Sequence, residues 1–282
     1  MEKKPGKLYI VGTPLGNLGD ISPRALKTLG EADFIAAEDT RVSLKLLNHF
    51  GIKKPLVSYH EHNAGTRGET ITERILLGES CAVVTDAGMP CISDPGEDLV
   101  RLCAESGIET VVVPGPSAVV AAVAASGLPA GRFTFEGFLS VKKSSRFSHL
   151  EKIKTDERTL VFYEAPHKLV FTLKDMLAVL GDRRLVIARE LTKLHEEIIR
   201  TTLSGALAIY SNPDKAPRGE YVLVLEGAAP AEETGQEISI DEAANAARDL
   251  MAEGMPPSMA AKEAAKRSGH KKGDIYKKLT QG

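Results

Sequence analysis

An excess of charge of one sign is the first thing this sequence lacks. Its 36 Lys and Arg residues face 38 Asp and Glu, a formal net charge of -2 over 282 residues. Nothing global therefore points to a polyanionic partner, and a nucleic acid would have to be met by a local patch. Long apolar runs are also missing. Met1 to Lys7 is polar, the strand-like run behind it is too short for a signal peptide, and no later stretch reaches the ~20 apolar residues of a membrane span. No membrane partner is expected, and the sparse cysteine usage makes a reducing cytoplasm the expected location. Only three cysteines occur, Cys81, Cys91 and Cys103, with no C-x-x-C pair; a disulfide framework and a zinc site lose their support, and no metal is expected. Neither G-x-x-x-x-G-K-[ST] nor a G-x-G-x-x-G turn after the first strand is present. ATP hydrolysis and ordinary dinucleotide binding are disfavoured accordingly.

What is present is an alternation of elements. With 43% hydrophobic and 26% charged residues the composition is globular, and the length suggests about two domains of ~150 residues. Apolar runs at Leu8 to Val11, Phe34 to Ala37, Pro55 to Tyr59, Cys81 to Thr85 and Thr110 to Val113 read as strands. Helix patterns at Ile21 to Gly30, Ser43 to Phe50, Glu69 to Leu77, Glu97 to Glu105 and from Val119 lie between and after them. Strands apolar at nearly every position are buried on both faces, which predicts a mostly parallel sheet. After Gly127-Leu-Pro129 the texture changes. Arg132 to Phe138, Thr159 to Tyr163, Arg184 to Arg189 and Tyr221 to Glu226 read as strands of a second, mixed sheet, with a helix at Lys168 to Leu180. Gly227 to Glu237 reads as a linker. Beyond it, Ile240 to Glu253, Ser258 to Ser268 and Gly273 to Thr280 are helices short enough to need one another, in a helix-turn-helix-like arrangement. The expected domains are 1–118, 119–228, a linker at 229–237 and a helical tail at 238–282.

Three Gly/Pro loops, beginning at Gly12, Asp86 and Pro114, follow predicted strands, on the side of a parallel sheet where ligands bind. Such loops bring backbone N–H and C=O groups close to a ligand. They hold few Lys or Arg residues, which suits a neutral or cationic ligand better than a triphosphate. Asp86 is either an acceptor for one end of that ligand or a turn residue bonded to its own loop.

Val11-Gly-Thr-Pro-Leu-Gly-Asn-Leu-Gly-Asp20, Ala37-Glu-Asp-Thr-Arg41, His60-Glu-His-Asn63, Val84-Thr-Asp-Ala-Gly-Met-Pro-Cys-Ile-Ser-Asp-Pro-Gly96, Pro114-Gly-Pro-Ser-Ala118 and Tyr163-Glu-Ala-Pro-His167 occur in this order, followed by Arg189-Glu-Leu-Thr-Lys193 and His195-Glu-Glu197. Together they resemble the bacterial ribosomal RNA small-subunit methyltransferase I family, within the tetrapyrrole methylase superfamily. The resemblance covers nearly the whole chain, its tail included. It implies an α/β, two-domain tetrapyrrole-methylase-like fold, with S-adenosylmethionine held between the domains and a homodimer as the assembly. The implied activity is 2'-O-methylation of a cytidine ribose in the decoding region of 16S ribosomal RNA, within the small subunit. Carried over by position, the cofactor contacts would be Pro14, Leu15, Asp86, Ala87, Gly88, Met89, Ile92, Ser117, Ala118, Tyr163, Glu164, Ala165 and Leu203.

A ribose hydroxyl that attacks a methyl sulfonium needs alignment first and a proton acceptor late. Glu38 and Asp39 follow one strand and His60 and His62 the next, so the four are the candidates for accepting or relaying that proton. Arg41 is a candidate phosphate holder. The two histidines lack a third ligand at metal spacing. Positive charge is concentrated around Lys142, Lys143 and Arg146 and again around Lys271, Lys272, Lys277 and Lys278, as phosphate contacts require. With no tryptophan and 5% aromatic residues, neither patch interleaves rings, so base recognition is expected from substrate shape or loops. Two other readings compete: methylation of a tetrapyrrole or protein side chain on the same scaffold, and a nonenzymatic regulator using its helix-turn-helix tail. The Gly12 to Gly16 loop departs from the G-x-G-P-G of tetrapyrrole enzymes, which weighs against the first.

Overall fold

The structure is a computed structural model that describes residues 4–94, 96–212, 215–230 and 239–280. The chain forms two compact units, Met1–Ala228 and Ala229–Gly282.

The first unit holds two five-stranded sheets. In the first, β1 (Lys7–Val11), β2 (Phe34–Ala37), β3 (Leu56–Ser58), β4 (Cys81–Val84) and β5 (Glu109–Val113) lie in the order β3-β2-β4-β1-β5, every pair parallel. Side-chain period two explains the apolar strands. Leu8, Ile10, Phe34, Ala36, Cys81 and Val83 enter one core, while Val11, Ile35, Ala37, Ala82 and Val84 enter another on the opposite face. Helices α1 (Pro23–Glu31), α2 (Thr40–His49), α3 (Ala64–Leu76) and α4 (Gly96–Glu105) alternate with these strands. Cys81 and Cys103 are free thiols buried in the first core.

Helix α5 (Ala118–Ser126) leads into the second sheet: β6 (Phe133–Phe138), β7 (Thr159–Glu164), β8 (Arg184–Arg189), β9 (Glu197–Thr202) and β10 (Tyr221–Leu225), in the order β6-β7-β10-β8-β9. Only β6 and β7 are parallel, so this sheet is mixed. One face packs on α6 (Lys143–Ile153), α7 (Leu169–Leu180) and α8 (Leu203–Tyr210). The other receives Val119, Ala122 and Val123 of α5. Three elements go beyond the sequence reading, which had no helix at α8. The basic segment is the helix α6, and His195-Glu-Glu197 leads into the edge strand β9.

In the second unit α9 (Ile240–Ala252), α10 (Pro257–Ser268) and α11 (Lys272–Thr280) enclose a core of Ala243, Ala247, Ala260, Ala261, Ala264 and Ile275. Small side chains permit close helix approach. A capping box joins Ser239 and Glu242 at the start of α9, and Gly269, at φ +74°, ends α10. From residue 231 the expected linker lies outside the described residues.

Candidate active site

The strand order of the first sheet decides which loops meet. The C-terminal ends of β2, β4, β1 and β5 are consecutive neighbours, so the segments after them share one rim. Gly12 and Gly115 let two of these loops touch: a β-carbon on Gly115 would stand 2.8 Å from the Gly12 Cα and 2.9 Å from its carbonyl carbon. Next to this contact, Thr13 and Gly88 exchange backbone hydrogen bonds, Thr13 N–H to Gly88 O at 2.9 Å and Gly88 N–H to Thr13 O at 3.1 Å. Gly88 has φ +89°, a conformation that glycine adopts without steric cost.

Against this rim stands the second sheet, and between them lies a cleft of about 540 Å3. The first sheet contributes Leu15, Glu38, Thr85, Asp86, Ala87, Gly88, Met89, Ile92, Ser93, Asp94, Ser117 and Ala118. The second contributes Phe138, Tyr163, Glu164, Ala165, Pro166, Ala188, Leu191, Glu220, Tyr221 and Val222. Cys91 and Ser93, flanking Ile92 on one wall, have φ of +71° and +66°, and Glu190 and Thr192, flanking Leu191 on the other, have +52° and +65°. Backbone strain of this kind collects at functional sites. Lys193 ties the walls: its ammonium bonds Glu190 and Glu220 at 2.9 Å each, and its stem packs on Gly16.

The cleft is rich in carboxylates, and they divide by their partners. Glu164 is buried and bonded to the Lys168 ammonium at 3.1 Å, to Ala165 N–H and to the Thr172 hydroxyl. Glu220 pairs with Lys193. Glu38, Asp86 and Asp94 form no ion pair among the described residues. Glu38 Oε2 accepts from the Thr85 hydroxyl at 2.6 Å, Asp86 Oδ1 from Asp39 N–H at 3.1 Å, and Asp94 Oδ1 from Cys91 and Gly96 N–H. Desolvation raises the pKa of Asp86, reinforced by the charges of Glu38 and Asp39 and only partly offset by the Asp39 N–H bond and the charge of Arg41. Burial likewise raises Asp94, reinforced by Glu38. Three carboxylates face one cleft with no ion pair among the described residues, Arg41 acting on Asp86 only from beyond ion-pair distance, which suits the cleft to a cation.

Of the residues expected to bind a cofactor, Leu15, Asp86 to Met89, Ile92, Ser117, Ala118 and Tyr163 to Ala165 all line the cleft. Pro14 is buried just behind Leu15. Leu203 does not reach the cleft; it is fully buried in the core on the opposite face of the second sheet. Among the proton-transfer candidates only Glu38 lines the wall. Asp39 caps α2, accepting from Arg41 N–H at 2.8 Å, and pairs with the Arg41 guanidinium at 2.6 Å, which lowers its pKa to about 2. His60 and His62 do not line the cleft. They follow β3, the edge strand, two strand spacings or about 10 Å of sheet from β4. His60 is bound into its own turn, its N–H to Asn63 Oδ1 at 2.9 Å and its Nε2 3.3 Å from Asn63 Nδ2.

Arg146 also departs from expectation. It is buried, with Nε donating to Asp175 at 2.7 Å and Nη1 to the carbonyls of Ser140 and Val141, so its guanidinium holds the β6–α6 turn and is not free for a phosphate. Lys142, Lys143 and Arg41 are exposed, as are Lys271, Lys272, Lys277 and Lys278 in the second unit. The second-sheet wall, Ala188, Leu191 and Glu220 to Val222, escaped sequence reading because those residues lie in or beside strands that read as core. Among the described residues no group of three or more His, Cys, Asp or Glu is placed to hold a metal ion.

Residues 7–207 match the family Tetrapyrrole (Corrin/Porphyrin) Methylases, and residues 237–281 match the RsmI C-terminal HTH domain. The chain is 45% identical over 272 residues to the ribosomal RNA small subunit methyltransferase I of Synechocystis sp., covering 96% of each. It is 44% identical over 279 residues to the protein of that name in Escherichia coli O157:H7, covering 98% of this chain and 95% of the relative. The Thermotoga maritima protein of that name is 51% identical over 222 residues, which are 79% of this chain and 99% of the relative. Among solved structures, diphthine synthase matches with a TM-score of 0.61 at 18% identity, covering 78% of this chain and 90% of that one. The methyltransferase CobJ matches at 0.58 and 21%, covering 79% and 95%. These two likenesses concern the fold alone.

Proposed function

The chain belongs to the tetrapyrrole methylase family, in its ribosomal RNA small subunit methyltransferase I branch, and we propose that it transfers a methyl group from S-adenosylmethionine to the 2'-oxygen of a cytidine ribose in the decoding region of small-subunit ribosomal RNA. The observation that carries the donor assignment is the trio Glu38, Asp86 and Asp94, which face the cleft and form no ion pair among the described residues. A sulfonium and an ammonium supply the missing positive charge. The volume of about 540 Å3 falls in the range of cofactor sites, and the loops of Gly12, Asp86 and Pro114 present backbone groups suited to the adenine and amino-acid ends.

Bound there, S-adenosylmethionine supplies an electrophilic methyl group for in-line attack by the ribose oxygen. The protein's task is alignment within a near-attack distance, and the Thr13–Gly88 bridge and the Gly12–Gly115 contact hold the donor side rigid for it. Glu38 is the wall carboxylate best arranged to take the hydroxyl proton. Thr85 fixes its Oε2, and its Oε1 makes no hydrogen bond among the described residues, so that oxygen is free to accept. Arg41, Lys142 and Lys143 would hold phosphates near the cleft. Lys271, Lys272, Lys277 and Lys278 would add a second, sequence-independent grip. The methylase match over residues 7–207 lies in the first unit and the HTH match over residues 237–281 in the second, which supports placing methyl transfer in the first unit and an accessory RNA contact in the second. The reading includes a homodimer, a cytoplasmic setting and the assembled small subunit as substrate.

The relatives' names favour RNA over a tetrapyrrole or protein side chain. The test is incubation with labelled donor and small subunits from a strain lacking the modification, followed by alkaline hydrolysis. Donor-dependent label in an alkali-resistant dinucleotide is expected; no label under conditions that label a control enzyme refutes the proposal.

A further inference from the structure

Strand β6 carries a register shift. Phe135 pairs with Val161, but the next pair is Gly137 with Phe162, followed by Phe138 with Tyr163. Glu136 is therefore an extra residue, a β-bulge, and Gly137 beside it has φ +65°. The consequence follows from period two. In an unbroken strand Phe135 and Phe138 would point to opposite faces, and Phe138 would join the core beneath α6 and α7. With one residue inserted, Phe138 lands on the face of Phe135 and Tyr163, which is the face of the cleft. The rings confirm the geometry: Tyr163 lies 4.8 Å from Phe135 and 5.4 Å from Phe138.

Phe138 lines the cleft, yet its side is open to solvent, with 53% of the residue exposed. Its ring is held. Tyr163 braces it, and the Lys168 ammonium, itself fixed by buried Glu164, stands 5.4 Å from its centroid. Three residues further on, Val141 is 78% exposed, followed by exposed Lys142 and Lys143. An aromatic face bordered by positive charge is the chemistry that receives a stacked nucleobase and its phosphates. We propose that Phe138 is the platform on which a nucleobase of the RNA substrate stacks at the mouth of the donor cleft, and that the bulge at Glu136 exists to turn it there. This rests on the reading of the protein as an RNA methyltransferase. Phe138 is a specificity and positioning residue: it holds the nucleotide so that the ribose faces the methyl group.

The test compares Phe138→Ala, Phe138→Leu and Phe138→Trp in the full chain, with KM and kcat on small subunits, donor affinity by calorimetry and RNA affinity by anisotropy. Loss of one stacked base predicts a rise in KM of about ten- to a hundredfold for both Phe138→Ala and Phe138→Leu. Donor affinity stays within about twofold, and Phe138→Trp restores RNA binding. Native behaviour in Phe138→Leu overturns the proposal, because an apolar wall would then suffice. So does a loss of donor affinity with RNA affinity intact, which would make the ring part of the adenine site. A native chain that methylates no subunit refutes the underlying activity instead, and the anisotropy arm still reads whether Phe138 holds RNA.

Discussion

Substituting Gly115 by Ala tests whether the donor side of the cleft depends on two backbones touching. The added β-carbon meets the Gly12 Cα at 2.8 Å, its carbonyl carbon at 2.9 Å and its oxygen at 3.0 Å. All three are main-chain atoms, so no rotamer relieves the clash and the loops after β1 and β5 must part by about half an ångström or more. Overpacking of this kind costs about 1–3 kcal/mol. For a unit of this size each kcal/mol lowers Tm by about 2–4 °C. The Thr13–Gly88 bridge stands beside the contact and moves with it. If two backbone hydrogen bonds to the donor are misaligned, at about 0.5–1.5 kcal/mol each, affinity falls about five- to a hundredfold. Gly30→Ala is the matched control. Nothing lies within 4 Å of its added carbon, it sits in α1 and its φ is not positive, so the same methyl stabilises by about 0.5–1 kcal/mol. Melting curves and donor calorimetry on both variants check the pair. A Gly115→Ala protein that melts and binds like the native chain would refute the assignment of the Gly12–Gly115 contact as what shapes the site.

The remaining predictions concern charge. Asp86→Asn keeps the shape of the wall but removes one of its three carboxylate charges, so donor affinity should fall while Tm holds or rises; unchanged affinity removes Asp86 from the site. Because its pKa is raised in the free protein and the cationic donor favours the ionised form, donor affinity should decline on acidification, starting above the ordinary Asp value of about 3.9. A flat profile down to that pH would contradict this. Asp39 runs the other way for stability. Its pKa of about 2 lies below its unfolded value, so its contribution is complete above that unfolded value and fades as pH falls toward 2, which acid unfolding of Asp39→Asn against native protein measures. Arg146→Ala strips partners from Asp175 and two carbonyls and should cost about 3 kcal/mol, visible in urea titration, with RNA salt dependence unchanged. In the tail, Lys278 pairs with Asp241 and Lys272 bonds Ser258. Charge reversal at Lys271 and Lys277, whose ammonium groups make no such bond among the described residues, should therefore lower RNA affinity and its salt slope; an unaltered slope would exclude the tail from RNA contact.

The first sheet was legible because burial on both faces leaves no room for polar residues: Phe34 to Ala37 and Cys81 to Val84 are buried at every position. Its binding loops were legible for a related reason, since close backbone approach demands the glycines that mark Gly12, Gly88 and Gly115. The edge strand β9 was not. Glu197 to Thr202 is only partly buried and carries Glu197 and Arg200 on exposed positions, so it lacks the apolar run that marks the other strands. Arg146 failed on the same ambiguity from the other side. A formal charge is visible in a sequence, but the half-buried Asp175 that neutralises it is 29 residues away.

His60 and Phe138 show where position along the chain stops informing position in space. His60 follows a strand just as Glu38 does, and both are polar residues at a strand's C-terminal end. Only the order β3-β2-β4-β1-β5 separates them, because β2 adjoins β4 whereas β3 is at the edge. Strand order is a property of pairing, so no reading of either segment alone could place one carboxylate in the cleft and leave the histidine outside. Phe138 is the sharper case. Alternation within β6 assigns it to the face opposite Phe135, and that assignment is wrong by one residue inserted against β7. Gly137 is the sole local sign, since a glycine inside an alternating strand marks a bulge or a close backbone approach. Reading that glycine as a register shift moves Phe138 from the core to the cleft, and it turns the expectation of base recognition by substrate shape or loops into a proposal about one ring at the cleft's rim.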